Sequence, residues 1–150
     1  MLQSLVTQLG AGAVLVVCLY ALIAGGWRER FGAVIYLAAY LISVGFALIS
    51  PDYTTLYLLV ADALCLQGYL VISWKSPYSW PKWAVAGQLV CVAAEVVTLM
   101  PQSLLSLGIH TYVFLSVETA AGWAVLLALL LGTIAAAQTR RDARRLPRTE

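Results

Sequence analysis

The sequence predicts an all-α integral membrane bundle of five transmembrane helices, N-terminus outside and C-terminus cytoplasmic. Three observations predict it. First, 62% of the 150 residues are hydrophobic and only 11% are charged, against about 45–50% and about 25% in an ordinary soluble domain. Too little polar surface remains to cover a single soluble core. Second, five apolar segments are long enough for helices that cross a bilayer, which takes roughly 20 residues. They exceed any strand, and the apolar–polar alternation of a membrane β-barrel is missing. Third, all nine Lys and Arg residues fall on one side once five spans are drawn. The positive-inside rule makes that side cytoplasmic. Four or six spans would split the positive charge across the membrane.

The single transmembrane domain covers residues 1–138, with spans at about 5–26, 31–50, 53–74, 80–100 and 112–138. The first span ends at Gly25 and Gly26, a natural helix stop. It has no positive n-region and runs past any Ala-x-Ala site, so it reads as retained rather than as a cleaved signal. The turn Trp27-Arg28-Glu29-Arg30 leads into the second span, which stops before Pro51. The third span ends at Trp74. A short turn with Lys75 and Lys82 leads into the fourth, where Ser79 is the expected N-cap and Pro81 fits the first turn. Residues 101–112 form the one long loop. Its Leu104, Leu105, Leu107 and Ile109 suit a short helix lying on the outer surface, and His110 reads as a solvated loop residue. The fifth span is followed by a basic cytoplasmic tail, 139–150, polar enough to be disordered.

Aromatic residues support these boundaries. Trp27, Trp74, Trp80 and Trp83 fall at the cytoplasmic interface, and Tyr53, Tyr57, Tyr112 and Phe114 at the outer one. Gly10, Gly12, Gly122 and Gly132 are expected to permit close helix contact. The three cysteines, Cys18, Cys65 and Cys91, lie in apolar runs without a Cys-x-x-Cys pair and read as small buried hydrophobes.

The polar residues inside the spans form stripes. Gln88, Cys91, Glu95, Thr98 and Gln102 share one helix face. So do Asp62, Cys65, Tyr69 and Ser73, and likewise Tyr36, Tyr40, Ser43 and Ser50. Polar groups in lipid need partners, so these faces should turn toward one another. Asp62 lies about 18 Å above Trp74 and Glu95 a similar height above Trp83, at 1.5 Å per residue. Glu118 is nearer the outer face. An intramembrane polar cluster of Asp62, Glu95, Glu118, Gln88 and Tyr69 is therefore expected. A carboxylate at bilayer depth is a functional-site hypothesis by default. Two carboxylates in one dry site do not readily both ionise, and no Lys or Arg lies at that depth to pair with them. Three roles remain open: protonated acids as interhelical glue through Gln88, Tyr69 or Thr98, a proton or cation site, or pairing with a base from another chain.

Other chemistries find little support. His and Cys spacing for a metal is missing, as are a nucleophile–base pair and a phosphate-cradling Gly-rich loop. The expectation is a non-enzyme with no metal and no cofactor. The tail arginines Arg140, Arg141, Arg144 and Arg145 would contact anionic lipid or a partner rather than nucleic acid.

The segment Trp80-Pro81-Lys82-Trp83-Ala84-Val85-Ala86-Gly87-Gln88-Leu89 resembles one shared by small, uncharacterised multi-pass inner-membrane proteins of alphaproteobacteria. These read Trp-Pro-x-Trp-x-Ala, small residues, then Gln-Leu. A preceding helix with a central acid, here Asp62, is similar too. The resemblance covers about half the chain and implies a bacterial inner-membrane bundle. In that family a His often stands where this chain has Glu95, which keeps an ionisable group there without fixing a two-carboxylate site.

The functional expectation is a small scaffold or accessory subunit, packing with itself as a homo-oligomer or with a larger membrane complex. The alternatives are a proton- or cation-coupled permease using the intramembrane carboxylates, and a holin-like membrane-permeabilising protein.

Overall fold

The computed structural model describes residues 2–49, 54–74, 76–99 and 109–145. All the regular structure there is helical: α1 (Leu2–Ala24), α2 (Trp27–Ile49), α3 (Thr54–Ser73), α4 (Trp80–Thr98) and α5 (Ile109–Arg145). Each helix packs on its chain neighbour, and α1 returns to pack on α5, so the five close into a ring. An additional contact joins α2 to α5 across it. Among the described residues three segments are long and apolar enough to cross a membrane, Trp27–Phe46, Thr55–Ser73 and Ser116–Ala143. The protein is therefore a helical membrane protein.

Leu19, Ile23, Leu41, Leu48, Leu64, Val71 and Leu131 face outward. Lipid tails are as apolar as these side chains, so nothing drives them inward. Inside are small or shape-matched groups: Cys18, Ala21, Ala33, Cys65, Tyr69, Ala84, Val125 and Leu129. All three cysteines are buried free thiols, as expected.

Several boundaries differ from the sequence reading. The turn between α1 and α2 is only Gly25 and Gly26, and the Trp27-Arg28-Glu29-Arg30 stretch is the first turn of α2. The reason is local hydrogen bonding. Gly25 N–H donates to Ala21 O at 2.9 Å, and Arg30 donates through Nε to Gly25 O at 3.2 Å and through Nη2 to Ile23 O at 3.4 Å. One side chain thus satisfies carbonyls that end α1. The basic tail is not disordered where it is described, since α5 continues through Arg145. His110 belongs to the first turn of α5 rather than to a loop. Ser79 precedes α4 in an αR conformation without a side-chain cap. Tyr53 and the proposed surface helix around Leu104, Leu105 and Leu107 lie outside the described residues.

Trp27, Trp74 and Trp83 are exposed, but Trp80 is only 6% exposed and belongs to the core. Its ring stands edge-on to Tyr69, with centroids 6.5 Å apart at 87°. A Cβ built on Gly132 would lie 2.5 Å from its ring, and one on Gly32 would lie 3.1 Å from it. Two glycines from α5 and α2 therefore form the slot that admits the indole. Close contact expected at Gly132 is present. At Gly10 and Gly12 it is absent, since nothing lies within 4 Å of either. Gly122 has only an ordinary contact with the Tyr36 hydroxyl at 3.9 Å.

Gly87 gives a direct test of the α4–α5 contact. A Cβ there would lie 2.7 Å from Val125 Cγ2 and 3.3 Å from Ala121 O. Gly87→Ala is expected to destabilise the bundle by about 1–3 kcal/mol through overpacking. Gly10→Ala, with open space around it, is expected to stabilise α1 by roughly 0.5–1 kcal/mol. Unfolding titrations in mixed detergent micelles should give the two variants opposite signs.

Candidate functional site

The polar stripes converge. Gln88, Cys91 and Glu95 of α4 are buried on its inner face, as are Cys65 and Tyr69 of α3. Asp62 is half-buried on the same face of α3, and Tyr36 and Tyr40 of α2 turn the same way. Helical spacing places these residues in line, and ring closure points the lines at each other. Between them lies a cavity of about 200 Å³, lined by Asp62, Gln88, Cys91, Glu118, Tyr36 and Tyr40 among others.

Asp62 and Glu95 are close enough to interact electrostatically, and Glu118 interacts with Asp62. No Lys or Arg lines the cavity among the described residues. Glu95 is 1% exposed, and neither of its carboxyl oxygens has a hydrogen-bond partner. Its approach to Asp62 therefore brings two acids together without a well-formed hydrogen bond between them. An unsatisfied buried polar group costs about 1–3 kcal/mol.

The neighbours that sequence reading assigned to the acids are differently engaged. Tyr69 donates its hydroxyl to Gly32 O at 3.4 Å, which ties α3 to α2. Thr98 donates to the backbone carbonyl of Glu95 at 2.7 Å, not to its carboxyl group. Tyr69 and Thr98 are thus corrected as partners of the carboxyls: each finds a backbone acceptor within reach. Gln88 is the exception. Its Nε2 reaches Asp62 O at 3.5 Å, and its side chain also interacts with the Asp62 carboxyl. Cys91 Sγ donates to Glu118 O at 3.7 Å, which links α4 to α5 beside the acids.

A second cavity of about 210 Å³ lies beside α1 and includes Gly10, Val14, Thr119 and Trp123 in its lining. Tyr36, Tyr40 and Gly122 line both cavities. The Tyr36 hydroxyl donates to Gly122 O at 3.3 Å, so one hydrogen bond between α2 and α5 borders both spaces.

Sequence reading missed one buried acid. Glu29 is 4% exposed, and its Oε1 accepts a hydrogen bond from Trp80 Nε1 at 2.9 Å. Flanked by Arg28 and Arg30 it looked like part of a solvated turn. The available signal was its position three residues after Gly26, where a Glu in a first helical turn is favoured. The tail arginines Arg140 and Arg141 are exposed on the last turns of α5. Arg144 and Arg145 continue that helix.

No protein-family model, curated protein or solved structure matches the chain.

Proposed function

We propose that the protein is a non-enzymatic carrier that binds and exchanges a proton at Asp62 and Glu95, with Glu118 nearby; among the described residues no three acids, cysteines or histidines are grouped to hold a metal ion. The observation that supports it best is Glu95, a buried carboxyl with both oxygens unpartnered, beside Asp62, which together with Glu118 lines a polar cavity that Glu95 itself does not line. Acids used as structural glue would be hydrogen-bonded, because lipid offers no water to satisfy them. A site that must take up and release a positive ion needs open acceptor valence.

The membrane arrangement belongs to the same proposal. The 23 residues of α1 and the 19 of α4 would span about 34 Å and about 28 Å at 1.5 Å per residue, comparable to a ~30 Å hydrocarbon core. α4 is the less apolar because it carries Lys82, Gln88 and Glu95. All five helices would cross, N-terminus outside, with the basic end in the cytoplasm of a bacterial inner membrane. Charge asymmetry supports that orientation.

The test is flux into vesicles. Purified protein is reconstituted with an internal pH-sensitive dye, and a proton gradient is imposed. Wild type should exceed Asp62→Asn and Glu95→Gln, both of which should fall toward the level of empty vesicles. Infrared spectra of the same samples should show a carboxyl C=O band that changes with pH and is reduced in one mutant. Wild-type flux equal to that of empty vesicles, with a carboxyl band constant at every pH, would sink the proposal.

A second reading is a scaffold or accessory subunit. It is favoured by a groove of about 780 Å³ between α4 and α5, with Ala86, Gly87, Ala120, Ala121, Ala124 and Ala128 among its lining residues. Small residues let another helix approach closely, from a second copy or a larger complex. Ala124→Trp should then shift the assembly toward monomer in mild detergent. A wild-type protein already monomeric there would count against it.

A further inference from the structure

At the end of the bundle where α2 begins and α5 finishes, a separate pocket of about 260 Å³ is lined by Gly26, Trp27, Arg28, Glu29, Tyr78, Ala136, Thr139 and Arg140. A single water needs only about 10–15 Å³ of such space, so the pocket has room for a small polar head. Trp27 and Trp74 are exposed at the same end of the bundle, as rings at the headgroup level of a bilayer are.

Both signs of charge meet in it. A Cβ on Gly26 would fall 2.6 Å from Glu29 Oε2 and 3.4 Å from Arg140 Nη2. The carboxylate and the guanidinium therefore flank the space that a side chain at Gly26 would fill. Glu29 is held rigidly, because Trp80 Nε1 binds its Oε1 at 2.9 Å inside the core. That leaves Oε2 for the pocket. On the other wall Arg28 lies over the Tyr78 ring, 5.8 Å from its centroid. Arg30 is not available, being spent on the carbonyls that end α1.

We propose that this pocket binds a phosphoethanolamine headgroup carried by a membrane lipid, with Arg28 and Arg140 on the phosphate and Glu29 Oε2 on the ammonium. Arginine suits the phosphate through its planar fork of donors. The buried carboxylate supplies the discrimination. A purely anionic head would set its charge beside Glu29 with no cation between them. A choline head has no N–H to donate to Oε2. Either penalty is comparable to one charge-assisted hydrogen bond, or about tenfold in affinity. The exposed tail arginines would still attract anionic lipid without this selectivity.

Native mass spectrometry of the full chain, released from detergent with added lipid, tests the assignment. The probes are phosphatidylethanolamine, phosphatidylglycerol and phosphatidylcholine of equal chain length, and soluble glycerophosphoethanolamine. Wild type should retain phosphatidylethanolamine about tenfold better than the other two lipids. Glu29→Gln should erase that preference while phosphatidylglycerol adducts persist. Arg140→Gln changes an exposed side chain and leaves the core intact, and it should weaken retention of phosphatidylethanolamine and phosphatidylglycerol together. Gly26→Ala should block the pocket. Equal retention of phosphatidylglycerol by wild type would overturn the proposal, as would an unchanged preference in Glu29→Gln or undiminished retention of both lipids in Arg140→Gln. Displacement of the lipid by an equal concentration of glycerophosphoethanolamine would overturn its membrane source and assign the site to a soluble phospho-amine.

Discussion

Trp80→Ala is expected to be the most damaging single substitution in the bundle. The indole packs against Tyr69 of α3, fits between Gly32 of α2 and Gly132 of α5, and donates to Glu29. One side chain of α4 thus joins three other helices. In a soluble core Trp→Ala costs about 3–5 kcal/mol. In a bilayer the separated helices remain in an apolar solvent, so the transfer part shrinks. What remains is lost packing, and the hydrogen bond to a buried acid worth about 1.5–3 kcal/mol. We expect a total of about 3 kcal/mol, toward the lower end of the soluble range. Unfolding in mixed micelles measures it. Trp80→Phe should recover most of the packing and none of the hydrogen bond, so it should fall between wild type and Trp80→Ala. A Trp80→Ala protein within about 0.5 kcal/mol of wild type, the range of ordinary surface substitutions, would show that the indole does not organise the helix junction.

Glu95→Met is expected to move stability and transport in opposite directions. Both carboxyl oxygens of Glu95 are buried without partners, and Asp62 stands close by. Replacing a buried acid whose oxygens lack partners with an apolar side chain of similar volume removes a desolvation cost. Comparable replacements of buried ionic groups are often neutral or stabilise by about 1–4 kcal/mol. The same change removes the group proposed to receive the ion, so flux in vesicles should fall to the level of empty vesicles. A protein destabilised by Glu95→Met would mean that the carboxyl makes a stabilising bond after all, and the carrier proposal would lose its main support. A stabilised protein with undiminished flux would place the pathway elsewhere. Asp62→Asn should be milder for stability, because Gln88 can still bond to the Asp62 backbone.

The polar stripes illustrate what periodicity makes legible. Gln88, Cys91 and Glu95 are three and four residues apart, and that spacing alone puts them on one face of any α-helix. In lipid that face has to turn inward, and the three side chains are buried together. The same reasoning placed Asp62 with Cys65 on α3. The individual partners were not legible. Tyr69 has an acceptor on α2, Gly32 O, and Thr98 has one on its own helix. Backbone carbonyls are invisible in a pattern of side-chain types, yet they compete for every hydroxyl within reach.

Glu29 and Trp80 mark the other gap. They are 51 residues apart in the chain and both sit next to charged or interfacial residues, so each looked like a surface group. Their bond exists because the Trp80 indole reaches across the interior of the ring from the first turn of α4 to the first turn of α2. Gly32 and Gly132 each lack a Cβ at the point where the indole passes. Glycine composition announces room for contact but not which neighbour takes it, and Gly10 shows that the room can stay empty.

By itself the sequence determined the helical membrane class, the approximate position of each helix and the inward face of the second, third and fourth. These follow from composition, segment length and the 3.6-residue period, which act along the chain without reference to any distant residue. Only the tertiary structure decided that α1 closes the ring on α5, that Trp80 is a core residue bonded to Glu29, and that the Glu95 carboxyl is left without a hydrogen-bond partner. Those facts depend on how one helix is rotated and placed against another. In lipid that choice is made by close packing and a few polar contacts rather than by burial of apolar surface, so hydrophobicity along the sequence carries little record of it.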